Sequence, residues 1–455
     1  MKVLVVGSGG REHALCWKIA QSPDCEALFC APGNGGTANV ATNLDISAMD
    51  TAGVLGFCKE EGINLVVIGP EDPLCAGMAD DLRKAGISCF GPGAAGARLE
   101  GSKSYTKEVL ERHRIPTATY RRFDRSGEAK DYLNACMVWP QVVKADGLAG
   151  GKGVFICQAP AEACSAVDAV MEERRLGEAA GASIIIEEFL EGEECSVFAI
   201  TDGEAILILE PVVDHKQVGE GDTGPNTGGM GVYSPAPSLG QRVLRQIEQR
   251  VVIPSVHAIC REGIEFRGVL FIGLMLTESG PKVLEYNVRF GDPETQALVR
   301  RFSGDLLPYL AATANGKLEE MDPPEWDKRF TVGVVGASEG YPGECGKGGR
   351  IEGLAEAEAV EDVVVFHAGT APSGDGIVTA GGRVLCVSSM ASDMETARER
   401  AYEAYDRIQW AGKFCRRDIG GRVEARRTRV AELMGSKLEH GEVFDSSLPF
   451  GDPHS

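Results

Sequence analysis

In the segment LEYNVRFGDPETQ, three polar side chains stand two apart, Glu285, Asn287 and Arg289, close behind the apolar run Val269 to Thr277. Side chains on an extended strand alternate, so these three share one face and leave Tyr286 and Val288 on the other. A carboxylate and an amide oxygen are hard ligands that suit Mg²⁺, which keeps some water and draws its other ligands from substrate phosphates. The guanidinium beside them can stabilise charge on a phosphoryl group in transfer. A polar face turned to solvent is the alternative.

A second set of candidates lies in KADGLAGGKGV, where Lys144 stands at a strand end and Lys152 sits among Gly147, Gly150, Gly151 and Gly153. This is not a Walker sequence. Glycines let a backbone approach phosphate closely and let a loop close as a lid, while lysines balance the charge on a nucleotide's phosphates. A flexible surface loop is the plainer reading. Further on, the apolar run from Ile184 ends in Glu187 and Glu188, followed by Leu190 and Glu193. Such acids could accept hydrogen bonds from an adenine amino group and ribose hydroxyls, although without context surface acids are the better reading.

At the N-terminus, Gly7-Ser8-Gly9-Gly10-Arg11-Glu12 opens a helix straight after a strand, so its backbone N–H groups and the helix dipole could hold an anion, and a phosphate is the natural one. Dinucleotide binders place glycine at the sixth position, where Glu12 would repel a pyrophosphate and crowd the helix against the strand. The stretch DHKQVGEGDTGPNTGGMGVYSPAP carries Asp214, His215 and Lys216, then a long run without aliphatic periodicity. It reads as a long loop, of the kind that is either functional or disordered.

The elements that must carry these residues follow from periodicity. Val3 to Val6 and Leu65 to Ile68 are short apolar runs of buried parallel strands, each followed by a loop, GSGGRE and GPEDPL. Alternating strands and helices to about residue 100 predict a doubly wound α/β domain with ligands at the carboxyl ends of its strands. KSYTKEVLERHR predicts a helix stopped by Pro116 and opens an α+β middle region. Val269 to Thr277 and Lys282 to Val288 predict a hairpin turning through residues 278 to 281, and the runs near 331, 363 and 384 with the helix Met394 to Ile408 predict a small C-terminal α+β domain. The expected divisions are 1–101, 102–325 with a mobile part at about 116–190, 326–430, and a loosely ordered tail 431–455.

At 455 residues the chain exceeds one ordinary core. A net charge of −21 argues against broad adhesion to nucleic acid or an anionic membrane. The 14 cysteines are scattered, with no CxxC pair and no zinc spacing, so neither disulfides nor a structural metal are expected. No apolar run is long enough to span a bilayer, and a cytoplasmic setting with reduced thiols is expected.

Together, the Lys144 and Lys152 loop, the Glu187 to Glu193 segment and the Glu285, Asn287, Arg289 strand resemble the nucleotide site of the ATP-grasp superfamily. In order, GSGGREHAL, APGN, GPEDPL, EGSKSYTK, KADGLAGGKGV, EEFLEGEE, DHK, TGPNTGGMGVYSPAP and RFGDPETQ resemble the phosphoribosylamine–glycine ligase family from residue 1 to about 425. That resemblance implies an N-terminal doubly wound parallel-sheet domain, a central ATP-grasp domain and a small C-terminal α+β domain. It implies ligation of glycine to 5-phosphoribosylamine with ATP and Mg²⁺, Mn²⁺ being a possible substitute, by a monomer or weak homodimer. Lys103, Lys144, Gly150, Gly151, Lys152 and Gly153 would then hold ATP phosphates, Glu187 and Leu190 would lie near adenine, Glu193 on ribose, and Glu285 and Asn287 on the metal. Arg289, Lys144, Asp214 and Lys216 would carry the chemistry. The substrates would face Gly9, Gly10, Arg11, Glu12, Gly33, Asn34, Pro70, Glu71, Asp214, Gly228, Gly229, Met230, Gly231, Asp292 and Pro293. The family usually has Asn at Ser8, Ala at Gly150 and Cys at Val288, departures that touch no charged or metal-binding group.

Overall fold

The computed structural model describes residues 1–150, 152–178, 180–374 and 376–434. The first hundred residues form a five-stranded parallel sheet in the order Thr42–Asn43, Ala27–Pro32, Lys2–Gly7, Leu65–Ile68, Ser88–Phe90. Val3, Val5, Leu65 and Val67 bury one face and Leu4, Val6 and Val66 the other, which is why these strands read as unbroken apolar runs. Strand order reverses beside Lys2–Gly7, and the loops leaving Gly7 and Ile68 flank that crevice.

The helix Lys103–Arg112 begins where Ser102 accepts a hydrogen bond from the N–H of Tyr105, a side-chain N-cap. Beyond it, Tyr120–Phe123, Ile184–Glu188, Gln141–Ala145 and Val154–Cys157 form an antiparallel sheet. With the helices Ser126–Ala135 and Pro160–Val167 it encloses a core of its own, including Leu133, Val143, Val167 and Ile186. The facing sheet orders Ile206–Ile208, Glu193–Thr201, Gly268–Thr277 and Gly280–Asn287. The hairpin turn is tighter than the composition suggests: Thr277 pairs with Gly280, so only Glu278 and Ser279 lie between the strands.

The long run after Asp214 is not a loop. It folds into Val213–Asp214, the hairpin Gln217–Gly219 with Thr223–Asn226, and Gly231–Ser234. Alternation was hidden because these strands are two to four residues long and lean on neighbours rather than on periodic side chains. Val213–Asp214 and Gly231–Ser234 join Phe330–Ser338, Arg383–Ala391 and Val363–His367 in one sheet, so it draws strands from both sides of residue 326. The helix Val423–Leu433 runs past residue 430; the expected tail from 435 onward lies outside the described residues. Among the described residues no helix is long and apolar enough to cross a membrane.

Candidate active site

A cavity of about 460 Å³ opens between the two central antiparallel sheets and reaches the first domain. The helix Lys103–Arg112 presents Lys103 and Lys107, four residues apart on one face, to its basic end. Lys107 Nζ lies 3.1 Å from Glu187 Oε1, and Lys144 Nζ lies 2.9 Å from Glu187 Oε2. Burial lowers Lys107 to about 8, opposed by Glu187. Burial also lowers Lys103, whose Nζ donates to Gly147 O at 3.2 Å. Asp146 ties the glycine loop to this helix by accepting from Ser104 N at 2.7 Å, and to the start of the strand Ile184–Glu188 by accepting from Ser183 Oγ at 2.8 Å. Val142, Val154 and Ile156 on one sheet, Met275 and Leu284 on the other and Leu190 in the connection between them wall the adjoining slot.

The strand Gly280–Asn287 carries the next group. Gly273 pairs with Glu285 but Leu274 with Val283, so Leu284 is an extra residue, and such a bulge disturbs the ladder locally. The Leu284 carbonyl accepts from Lys144 Nζ at 3.3 Å. Glu285 and Asn287 both line the cavity. Although burial acts the other way, Lys216, Lys144, Lys103 and Arg289 hold the Glu285 carboxyl below the usual carboxylate range. Arg289 is clamped: Nε is 3.1 Å from Glu71 Oε2, and Nη2 is 2.8 Å from Glu100 Oε1 and 3.1 Å from Asn287 Oδ1. Against burial, Arg289 and Arg11 draw Glu71 down to about 2, whereas burial pushes Glu100 up to about 7 despite Arg289.

At the far end, Asp214 and Lys216 face Glu194, Glu285 and Glu294. Lys216 Nζ lies 3.8 Å from Glu194 and 3.9 Å from Glu285; despite burial, Asp214 and these acids hold it charged. Burial, then Asp214, raises Glu294 to about 8. Arg383 enters from the C-terminal sheet and donates to Gly228 O at 2.5 Å and Asp292 O at 2.6 Å.

The cavity therefore gathers Lys103, Lys144, Gly150, Gly153, Glu187, Leu190, Glu285, Asn287, Arg289, Asp214, Lys216, Arg11, Pro70, Glu71, Gly228 and Asp292. Lys152 is not on its wall, and Gly151 lies outside the described residues. Glu193, read as a ribose ligand, points the opposite way, with its carboxylate 3.3 Å from Arg426 Nε and 3.1 Å from Arg429 Nε. Strand alternation sends its neighbour Glu194 into the cavity instead. His215 is buried away from the cavity, and burial lowers it to about 4.

The N-terminal turn also departs from expectation. Gly9 N donates to Glu12 Oε2 at 2.5 Å and Arg11 N to Asp292 Oδ2 at 3.3 Å, so two carboxylates already take helix N–H groups on which a phosphate would rest. Glu12 fits because Gly69 has no side chain; a Cβ there would come within 1.9 Å of Glu12 Oε1. Gly10 and Asn34 lie in the same layer below the cavity, Asn34 donating to Ser8 O at 2.9 Å and His367 O at 2.9 Å. Gly33 approaches Asn43, and Gly229 packs on Pro293. Met230 is buried and Gly231 meets Ile419.

Reading residues alone missed Lys107, Glu100, Glu194, Glu294 and Arg383. Lys107 was signalled by its spacing from Lys103, and Glu194 by alternation; nothing local marks Arg383, which is brought in by a distant strand.

The N, ATP-grasp (A) and C domains of phosphoribosylglycinamide synthetase match residues 1–100, 101–295 and 331–422. The chain is 49% identical over 426 residues to a phosphoribosylamine–glycine ligase of Rhodopirellula baltica, covering 92% of this chain and 97% of that one. One of Agrobacterium fabrum is 50% identical, with 94% and 99% covered. The crystal structure of the Thermotoga maritima phosphoribosylamine–glycine ligase superposes with a TM-score of 0.80 at 34% identity, over 92% of this chain and 100% of that one.

Proposed function

This chain belongs to the phosphoribosylamine–glycine ligase family of ATP-grasp enzymes, and from that premise we propose that its cavity performs ATP-dependent ligation of glycine to 5-phosphoribosylamine through a glycyl phosphate. The observation that carries the reading is the joining, in one cavity, of a lysine-lined apolar slot to Glu285 and Asn287 at the end of the strand Gly280–Asn287 and to Arg289 just beyond it.

The slot between Val142, Ile156, Leu190 and Met275 suits adenine, and Glu194 beside it suits ribose hydroxyls. Lys103 and Lys144 face the phosphates, and the loop through Gly150 and Gly153 covers them. One Glu187 carboxylate binds both Lys107 and Lys144, which fixes their heads in place without cancelling the net positive charge of the trio.

Glu285 and Asn287 fit a magnesium ion by the chemistry of their donors: one carboxylate held ionised by cations, and one amide oxygen with a lone pair beyond its bond to Arg289. The rest of the ion's shell would come from phosphates and water. Bound there, it would supply charge neutralisation at the transferring phosphoryl. Mn²⁺ accepts the same oxygen donors.

A glycine carboxylate oxygen attacks the γ-phosphorus, the bond to ADP breaks, and Arg289, held rigid by Glu71 and Glu100, meets the charge that develops. The amine of phosphoribosylamine then attacks the acyl carbon, and phosphate leaves with the bonding pair and takes up the proton that the amine loses. No protein nucleophile is needed, because phosphorylation has made the leaving group. Asp214 and Glu294, flanking Lys216, suit the glycine ammonium. Arg11 and Arg383 are the cations available toward the phosphoribosyl group. We place the reaction in the cytoplasm, with the chain acting as a monomer or weak homodimer.

The test is ADP release with Mg²⁺ and glycine, with and without phosphoribosylamine generated from ribose 5-phosphate and ammonia. ADP and glycinamide ribonucleotide should form only when glycine and the amine are both present. Nucleotide binding without product would refute these substrates, and no binding at all would refute the site.

A further inference from the structure

The helix Val423–Leu433 begins after residue 422, the last position matched by the C domain, and packs against the strands Glu193–Thr201 and Gly268–Thr277. Its inner side buries Val430 and Ala431, but its polar contacts are concentrated at one place. Arg426 and Arg429, three residues apart and so neighbours on one face, each bring Nε to one oxygen of Glu193, at 3.3 and 3.1 Å. Arg426 also donates through Nη2 to the carbonyl of Glu194.

Glu193 and Glu194 are the first two residues of their strand, preceded by Gly192, and pair with Leu276 and Met275. Strand ends fray unless something ties them down. Here the helix holds the outward carboxylate of one residue and the backbone carbonyl of the next. Because side chains alternate, fixing Glu193 on the outer face fixes the direction of Glu194 on the inner face, where its carboxylate lines the cavity 3.8 Å from Lys216.

We infer that the C-terminal helix is a clamp that sets nucleotide affinity: Arg426 and Arg429 are positioning residues which, through Glu193, hold Glu194 against the ribose of ATP. The inference rests on the assignment of Glu194 to the ribose. Neither arginine lines the cavity, so their loss acts on the binding of nucleotide and leaves the phosphoryl-transfer groups at Glu285 to Arg289 untouched.

The experiment is steady-state kinetics and ATP titration of the full chain carrying Arg426→Ala with Arg429→Ala. KM for ATP should rise about tenfold with kcat within about twofold, KM for glycine unchanged, and the lysine pair R426K/R429K should recover part of the loss. Glu193→Gln removes only the outward charge, and a rise of about threefold in KM for ATP is expected; it serves as the test if the double alanine variant does not fold. An unchanged KM for ATP in either variant overturns the clamp, as does an equal fall in kcat. Glu194→Gln separates the two claims. If it leaves KM for ATP unchanged, the ribose assignment fails; if it raises KM while Glu193→Gln does not, only the clamp fails.

Discussion

The turn Gly7–Glu12 and the loop after Ala145 both follow buried strands and are both rich in glycine, yet one is filled by the protein itself and the other, at Gly150 and Gly153, lines the cavity. In the first, Glu12 and Asp292 occupy the N–H groups that a ligand would use. In the second, Gly150 has φ +55° and nothing near its missing side chain, and Lys103 and Lys144 line the same cavity. Glycine gives access to a backbone; the nearest charged side chain decides whether that access is used internally or left for a ligand. The closed turn should therefore report in stability and the open site in turnover.

The largest expected effect is at the open site. Glu285→Ala and Arg289→Ala should each lower kcat by about 10²- to 10³-fold, with circular dichroism and the cooperative melt retained. Near-normal rates in both would break the comparison at its functional end. Lys144→Ala should lower kcat/KM for ATP by about 10²-fold, and because Lys107 still neutralises Glu187, the variant should remain folded.

The layer around the closed turn should respond to acid instead. His13 Nδ1 accepts from His367 N at 2.8 Å. Burial, and for His13 also the proximity of His367, lowers these histidines from 6.5 to about 3 and about 4. Between pH 6.5 and 4 the unfolded chain takes up protons on both and the folded chain does not, so their contribution is full above pH 6.5 and declines on acidification. By pH 5 each should cost about 2 kcal/mol, read from denaturant midpoints at pH 7 and 5. An asparagine at both positions should flatten that dependence; an unaltered pH slope would show that the layer opens without cost.

Glu12→Gln should lose about 1 to 3 kcal/mol by weakening its bonds to Gly9 and Arg11, while ATP titration remains as in the parent. A weaker nucleotide affinity would mean that the closed turn reaches the nucleotide after all. Gly150→Ala should be mildest: the left-handed backbone costs an alanine about 1 to 2 kcal/mol, but with open space around it KM for ATP should move less than about threefold.

Much of this was legible in the chain because it depends on local order. The parallel strands Lys2–Gly7 and Leu65–Ile68 were apolar runs bounded by glycine, and Glu285, Asn287 and Arg289 were grouped by period two. The segment from Asp214 to Pro235 reads as a loop in the sequence, since its strands are too short to show a period and Gly231–Ser234 is ordered by the distant strand Phe330–Ser338. Glu193 and Glu194, adjacent acids, are indistinguishable in the sequence until the strand's phase against its neighbour is known.

The apolar strands, the helix that carries Lys103 and Lys107, the basic glycine loop and the polar face of Glu285 and Asn287 are set by interactions within a few residues and can be read along the chain. That Glu12 seals the first turn, that Glu71 and Glu100 clamp Arg289, that Arg383 reaches the cavity and that Arg426 holds Glu193 emerges from the packing of the folded chain. These contacts join residues between three and more than two hundred positions apart, and whether a charge is met by a partner or left for a substrate is settled by what the fold brings beside it.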